Sequence, residues 1–101
     1  MKVYYTKSMF FHAAILGAIP DKKQFPADYA LVAEINGPDA TPEYAFYLLN
    51  DEPEKYIKTL PAGVSHTSMS VGDIVEINGV YSICQPVGWQ VLKGVNHASV
   101  S

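Results

Sequence analysis

The sequence predicts a single α+β domain over residues 1–101, with a mainly antiparallel sheet, a C-terminal β-meander and two to three short helices. Its 101 residues match the usual size of one domain. The predicted elements follow the order β-α-β-α-α-β-β-β, with long helices only in the first half, which is typical of an α+β fold. Asn78-Gly79 separates two short runs rich in β-branched residues, and this is the strongest short hairpin signal.

The chain begins with a predicted strand and a predicted helix. Residues 2–6 are rich in β-branched and aromatic side chains, which favour a strand. Ser8 is expected to cap a helix over Met9 to Leu16, and Gly17 is expected to follow its C-terminal end.

The same region has the outline of a signal peptide, because two lysines precede an apolar run from Met9 to Ile19. His12 interrupts the run, and no convincing small-residue cleavage motif follows. The run is also shorter than the ~20 apolar residues that span a bilayer. We therefore expect a buried strand and helix, a cytoplasmic protein and no membrane partner.

A second strand and a second helix follow. Residues 28–35 alternate in hydropathy, which predicts a strand. Thr41 is expected to cap the next helix, over residues 42–50, with Pro42 in its first position. On the strand, one face is predicted to carry Tyr29, Leu31, Ala33 and Ile35, and on the helix one face is predicted to carry Ala45, Leu48 and Leu49.

A third, short helix is predicted over residues 52–60. Asp51 is the expected cap, and Pro61 is expected to end the helix. Glu54 and Lys58 are spaced to form an i,i+4 ion pair.

The C-terminal half is predicted to form a meander. Gly72-Asp73 is expected to make the turn that starts the hairpin, and Asn78-Gly79 to close it with both residues at positive φ. A two-residue turn pairs Ile77 with Val80, Glu76 with Tyr81, Val75 with Ser82 and Ile74 with Ile83. The last strand covers residues 88–93, and its Trp89 is expected to cover the apolar face of the hairpin.

Composition limits the possible functions. The single cysteine, Cys84, cannot form an internal disulfide, which favours a reducing compartment. All seven bases are lysines, and the absence of arginine counts against direct recognition of nucleic acid.

The charges are segregated along the chain. The stretch from Gln24 to Glu54 contains acids and no base, whereas the rest of the chain carries all the lysines. Near helix starts such acids commonly serve helix dipoles and solubility. They also form a surface that steers towards basic partners, so we treat Glu43, Asp51, Glu52 and Glu54 as candidate partner-binding residues. The acids of the stretch are Asp28, Glu34, Asp39, Glu43, Asp51, Glu52 and Glu54.

The segment from His66 to Ser70 is the one candidate for a reaction centre or a polar binding edge. In an extended conformation His66, Ser68 and Ser70 share one face. A nucleophile must approach its base to within ~3 Å, and Asp73 is expected to be occupied by its own turn. We therefore predict no catalytic residues and treat His66, Ser68 and Ser70 as partner-binding candidates, with a small enzyme as the alternative.

No pattern predicts a cofactor or a metal ion. His12, His66, Cys84 and His97 lack the close spacing of metal ligands, and the glycines are isolated rather than grouped in a phosphate-binding loop.

Several short motifs resemble a known family. The stretches EYAFYLLND and HTSMSVGDIVEINGVYSICQPVGWQVL resemble small phage and plasmid proteins related to the YodL-like domain. That family shows an A-F-x-L-x-N helix, an R-S-x-S-V-G-D corner and a terminal G-F or G-W, and here His66 or Thr67 stands where its arginine is usual. The residues that carry the resemblance, the first four of them in part, are Ala45, Phe46, Leu48, Asn50, Ser68, Ser70, Val71, Gly72, Asp73, Gly88 and Trp89.

The resemblance implies a function in anti-restriction or anti-defence and supplies no catalytic residues. Together with the acidic stretch, it predicts a non-enzymatic protein that binds a host protein and inhibits or redirects it. The expected partner is a basic nucleic-acid-binding or defence protein. A nucleic-acid-binding module is the less favoured alternative.

Overall fold

A computed structural model gives the fold, and it describes residues 1–21, 23–37 and 40–92. Asp39, Lys93 and His97 lie outside the described residues. The α+β class predicted from the sequence is confirmed. The strands are β1 (Lys2–Thr6), β2 (Tyr29–Glu34), β3 (Ile74–Ile77), β4 (Val80–Cys84) and β5 (Trp89–Val91), and the helices are α1 (Ser8–Ile15), α2 (Pro42–Asp51) and α3 (Pro53–Tyr56).

The strands form one sheet in the order β2-β1-β3-β4-β5, and every neighbouring pair is antiparallel. The chain passes from β2 to β3 by way of α2 and α3, so these helices bridge the intervening strand β1. In the described part of the chain, no helix is both long enough and apolar enough to cross a membrane.

Both faces of the sheet carry a hydrophobic core. Successive side chains on a strand point to opposite faces, so one strand can contribute to both cores. On one face α2 contributes to a core of Val3, Tyr5, Ala33, Ile35, Ala45, Leu49, Ile57, Val64, Met69 and Val75. On the other face α1 contributes to a core of Phe10, Ala14, Phe25, Tyr29, Ile74, Tyr81, Ile83 and Leu92.

The predicted hairpin is confirmed residue by residue. Asn78 and Gly79 have φ of 51° and 83°, as a two-residue turn with both residues at positive φ requires. Each of the predicted pairs between β3 and β4 forms. Trp89 is half-buried and packs against the core under α2, as expected for a residue that covers the sheet.

The predicted face of β2 is wrong because the strand contains a bulge. Val3 pairs with Ala33 and Tyr4 pairs with Leu31, so Val32 is an extra residue without a partner on β1. An extra residue reverses the alternation of side chains. Tyr29 therefore enters the core under α1, Ala33 and Ile35 enter the core under α2, and Leu31 is exposed.

The ends of α1 follow the prediction only in part. Lys7, rather than Ser8, is the N-cap residue, and no side chain caps this end. The Ser8 hydroxyl instead donates to the Gly63 carbonyl at 3.0 Å. At the other end Gly17 has φ of 95°, and its N–H and that of Ala18 donate to carbonyls of the last turn, so the expected glycine stop is confirmed.

The start of α2 is confirmed, since the Thr41 hydroxyl accepts from the N–H of Tyr44 and Pro42 opens the helix. The third helix is shorter than predicted: it begins at Pro53, not after an Asp51 cap, and ends at Tyr56. Ile57 has an extended backbone and is buried in the core under α2, and this conformation ends the helix. The ion pair in this segment joins Lys55 to Glu52, at 3.0 Å.

Candidate functional site

The turn before β3 lies at the centre of the candidate site. The N–H of Asp73 donates to the Ser70 carbonyl at 3.0 Å, and the Asp73 carboxylate accepts from the Ser70 N–H at 2.8 Å. Gly72 has φ of 96°, and a Cβ on it would lie 2.4 Å from the Cβ of Ala14 in α1. The predicted Gly-Asp turn is confirmed. It contacts α1, which lies on the opposite face of the sheet from α2.

The Asp73 carboxylate does more than cap its own turn, which corrects the sequence-based expectation. It is fully buried and also accepts from the N–H of Thr6 at 2.9 Å and from Nε2 of His66 at 2.9 Å. Burial raises the pKa of this carboxyl, and the hydrogen bonds from His66, Thr6 and Ser70 act against that rise. Asp73 therefore joins β1, the 66–70 segment and the start of β3.

The His66 ring is enclosed by aromatic side chains. It stacks on Tyr5 with ring centroids 4.5 Å apart and an interplanar angle of 12°, and its centroid lies 4.7 Å from that of Phe11. Among the described residues no hydrogen-bond partner reaches its buried Nδ1, so neither Ser68 nor Ser70 donates a hydroxyl to this imidazole. Neither serine is therefore positioned as a nucleophile that the pair of His66 and Asp73 could activate.

The 66–70 segment does not present its predicted polar face. His66 turns inward to Asp73, Ser68 is exposed and Ser70 is half-buried. Met69, between the two serines, is buried. The three candidates differ in orientation because the segment is not a strand. Its path is set by the hydrogen bonds to Asp73 and by the Thr67 carbonyl, which accepts from the Tyr5 hydroxyl at 2.9 Å.

The acidic candidates lie on α2 and α3, and most of them face solvent. Glu43, Asp51 and Glu54 are exposed. Glu52 is half-buried and paired with Lys55.

Two aromatic side chains share the exposed side of α2 with the acids. Phe46 is 37% exposed and Tyr47 is 60% exposed, three and four residues after Glu43. This spacing places them on the same helix face. Phe46 and Tyr47 are not among the binding candidates predicted from the sequence, although their spacing from Glu43 was a signal for an exposed position.

Asn50 connects the acidic helix to the 66–70 segment. Its side-chain amide donates to the Met69 carbonyl at 3.3 Å and to the Phe46 carbonyl at 2.9 Å. The two alternative binding regions predicted from the sequence, the acidic helices and the polar edge of Ser68 and Ser70, are therefore adjacent.

The remaining candidate ligands are dispersed. Within residues 1–21, 23–37 and 40–92, no three His, Cys, Asp or Glu side chains are grouped to hold a metal ion. Cys84 is buried, and burial together with the charge of Asp73 raises the pKa of its thiol to about 11. A thiol with this pKa is a weak nucleophile at neutral pH.

Comparisons with known proteins do not assign the site. No family model, curated protein or solved structure matches the chain. The resemblance to the YodL-like proteins stays a prediction from its short motifs, and the site is interpreted from its own geometry.

Proposed function

We propose that this protein binds a basic host protein through the exposed side of α2 and α3, and that it inhibits or redirects that partner without catalysing a reaction. The observation that carries the proposal is the combination of exposed acids and exposed aromatic rings on one helix face. We call this face the α2 surface, and it consists of Glu43, Phe46, Tyr47, Asn50, Asp51 and Glu54.

Each component of the α2 surface has a role in binding. Exposed acids attract a basic partner from a distance and speed its association. Aromatic side chains are enriched at the centres of protein interfaces, where they supply most of the contact energy. Tyr47 is the aromatic ring best placed for this role, because it is 60% exposed.

Ser68 and Ser70 extend the α2 surface with neutral hydrogen-bonding groups. The bond from Asn50 to the Met69 carbonyl holds their segment beside the helix. His66 contributes indirectly, because its contact with Asp73 fixes the segment from inside.

The resemblance to phage and plasmid proteins supports a partner in the bacterial cytoplasm, such as a nucleic-acid-binding or defence protein. Direct binding of nucleic acid is disfavoured, since phosphate groups would be repelled by the exposed acids and the chain contains no arginine.

The proposal is tested by affinity capture from a bacterial lysate at salt concentrations from ~0.05 to ~0.5 M. Capture should weaken as salt rises, because the Debye length falls from above 10 Å to below 8 Å. The identified partner should then associate more slowly with a variant carrying Asp51→Lys and Glu54→Lys, with a smaller change in dissociation. Asp51 lies at the C-terminal end of α2, where a lysine is compatible with the helix dipole.

A matched control separates the α2 surface from net charge. Glu34→Lys changes an exposed acid on β2 and should slow association less than Asp51→Lys alone. Tyr47→Ala should mainly speed dissociation. If the changes at Asp51, Glu54 and Tyr47 leave binding intact while changes at Ser68 abolish it, the polar edge is the binding site and the acidic surface is not.

The second candidate function is a small hydrolase or transferase, and the contact of His66 with Asp73 is the observation that favours it. Such an enzyme would need a serine hydroxyl activated by the imidazole. An electrophilic serine probe should label an activated Ser68 or Ser70 in the folded protein and spare the denatured chain. Stoichiometric labelling that is lost in His66→Ala would establish the enzyme and overturn the binding proposal.

A further inference from the structure

Strand β2 forms one edge of the sheet and is longer than the strand at the other edge. It has six residues, whereas β5 has three. Proteins commonly protect a sheet edge by keeping its strand short or by placing lysine or proline on it. From Tyr29 to Glu34 the chain contains neither lysine nor proline, and Leu31 is 42% exposed. Of the two edges, β2 is therefore the less protected.

The hydrogen bond at the start of β2 shows which backbone groups face away from β1. The Asp28 carbonyl accepts from the N–H of Lys7, the residue after β1, at 2.8 Å. In an antiparallel pair, residues bonded to the partner strand alternate with residues whose N–H and C=O face the other side. Asp28 and Ala30 therefore bond towards β1, and the N–H and C=O of Leu31 face the open edge.

The end of β2 gives the same result for Glu34. The Ile35 N–H donates to the Met1 carbonyl at 2.8 Å, so by the same alternation the N–H and C=O of Glu34 face the open edge. In the described part of the chain, no hydrogen bond from outside the sheet reaches these groups of Leu31 or Glu34. They belong to the main chain, so a change such as Glu34→Lys leaves them in place.

A groove of about 300 Å³ follows the open edge of β2, and we call it the β2 groove. One wall consists of residues 31–34, and the other consists of Tyr56, Lys58 and Thr59. Side chains of successive strand residues point to opposite faces, so consecutive residues line one groove through the edge that they share. Half-buried Val32 and Tyr56 give the groove an apolar part.

We infer that the edge of β2 binds an extended segment of a partner protein as an additional strand, with an apolar side chain of that segment in the β2 groove. The free N–H and C=O groups select the occupant, because a second strand satisfies both at the spacing of a β-ladder. The source of the segment rests on the proposed function. The β2 groove adjoins the α2 surface, since Lys58 also lines a neighbouring cavity together with Glu54.

Two features favour a partner segment over a second copy of this chain. The bulge at Val32 twists the edge, and bulges keep whole sheets from pairing edge to edge, whereas a separate segment can follow the twist. Two-fold antiparallel pairing of two β2 strands would also bring both 56–59 segments to the same side of the joined edges. Each segment would carry an exposed Lys58 into the space of the β2 groove.

The probe is a synthetic heptapeptide with five residues of alternating valine and threonine, valine in the middle, between two lysines. The control peptide has proline in place of each valine, which removes N–H groups and opposes strand pairing. Titration to ~1 mM at ~0.5 M salt, where surface charges are screened, should show binding of the first peptide only. Amide hydrogen exchange followed by NMR should then slow at least ~10-fold at Leu31 and Glu34.

Leu31→Pro tests the main-chain bond directly. The Leu31 N–H faces away from β1, so proline there is compatible with the sheet and should weaken peptide binding at least ~10-fold. Leu31→Ala keeps the N–H and should weaken binding less.

The matched control at the other edge of the sheet is Val91→Pro. The Leu92 N–H donates to the Tyr81 carbonyl, so the N–H of Val91 also faces away from the sheet. This variant should bind the peptide as the wild type does.

Equal binding of the two peptides, or unchanged binding by Leu31→Pro, overturns the inference; if Leu31→Pro does not fold, the exchange rates of the wild type with the two peptides decide. Protection of the Leu31 N–H without peptide also overturns it. The occupant is then a second copy if protection depends on protein concentration, and a segment of this chain if it does not.

The α2 surface is scored separately. The variant carrying Asp51→Lys and Glu54→Lys should bind the peptide as the wild type does at ~0.5 M salt, because surface charges are screened. A captured partner should dissociate faster from Leu31→Pro than from Val91→Pro. A partner that responds to the charge reversals and not to Leu31→Pro would overturn this inference and leave the proposed function intact.

Discussion

The two turns that bound β3 are alike in local geometry and differ in what they hold together. Both place a glycine at positive φ, 96° at Gly72 and 83° at Gly79. In each, a carboxylate accepts a backbone N–H: Asp73 accepts from Ser70, and Glu76 accepts from Gly79.

The first turn is buried and contacts distant parts of the chain, whereas the second is largely open to solvent. Asp73 is fully buried and reaches Thr6 and His66, and the Gly72 carbonyl accepts from the buried Tyr29 hydroxyl at 2.7 Å. Asn78 is exposed and Gly79 is half-buried. Similar local turn chemistry therefore serves to reverse the chain at one end of β3 and to connect distant segments of the domain at the other.

Removal of the buried carboxylate should give the largest effect. Asp73→Ala leaves the N–H groups of Thr6 and Ser70 and the ring of His66 without their acceptor, and we expect a loss of about 3–5 kcal/mol in the free energy of unfolding. The matched change at the second turn, Glu76→Ala, should cost about 1 kcal/mol. Urea unfolding followed by the fluorescence of Trp89 measures both. If Asp73→Ala does not fold, Asp73→Asn keeps one acceptor oxygen and should lose less of the free energy of unfolding. Equal losses for Asp73→Ala and Glu76→Ala would contradict the larger contribution of the first turn.

The glycine of the first turn should give the next largest effect. Gly72→Ala combines strain at positive φ with overlap against Cβ of Ala14, and we expect a loss of about 2–4 kcal/mol in the free energy of unfolding. Gly88→Ala is the control, because Gly88 has φ of 73° and nothing within 4 Å of its would-be Cβ. It should cost only about 1–2 kcal/mol, from strain alone.

A double-mutant cycle isolates the contact between Gly72 and α1. In an Ala14→Gly background the 2.4 Å overlap with Cβ of residue 14 is removed, while the tight contacts of 3.1 and 3.2 Å with its backbone Cα and C remain, so Gly72→Ala should cost at least about 1 kcal/mol less than in the wild type. An unchanged cost would show that the Cβ of Ala14 contributes nothing and would leave backbone strain at Gly72 and its contacts with the backbone of residue 14 as the causes.

The sequence predicts the second turn and its hairpin fully because the determinants are local. A two-residue turn with both residues at positive φ sets the pairing of the adjoining strands, and Asn78-Gly79 is the dipeptide that favours it. The sequence also predicts the start of α2, where Thr41 and Pro42 are sufficient signals.

The errors arise where distant segments decide the outcome. The extra residue Val32 in β2 follows from its pairing with β1, so hydropathy alternation alone gives the wrong face. The contact of His66 with Asp73 depends on how the 57–71 segment crosses Tyr5, and no local pattern encodes that path. A turn glycine next to an acid, with a histidine seven residues earlier, is consistent with this contact but does not specify it.

The smallest effect concerns the thiol beside the first turn. Cys84 exchanges backbone hydrogen bonds with Gly72 and Asp73, and burial, aided by the charge of Asp73, raises its pKa from 9.0 to about 11. The folded protein therefore keeps the thiol protonated at pH values where the unfolded chain loses the proton. The resulting stabilisation is complete below pH 9 and is lost as the pH rises towards 11. By pH 10 the wild type should lose about 1 kcal/mol more than Cys84→Ala does, relative to pH 8. Tyr5 and Tyr29, whose pKa values burial also raises, are present in both proteins, so the difference reports Cys84 alone.

Iodoacetamide should alkylate the Cys84 thiol of the folded protein at pH 8 at least ~100-fold more slowly than that of the urea-unfolded protein, from the difference in thiolate fraction alone. Equal alkylation rates would show that Cys84 is not held in the buried environment of the first turn.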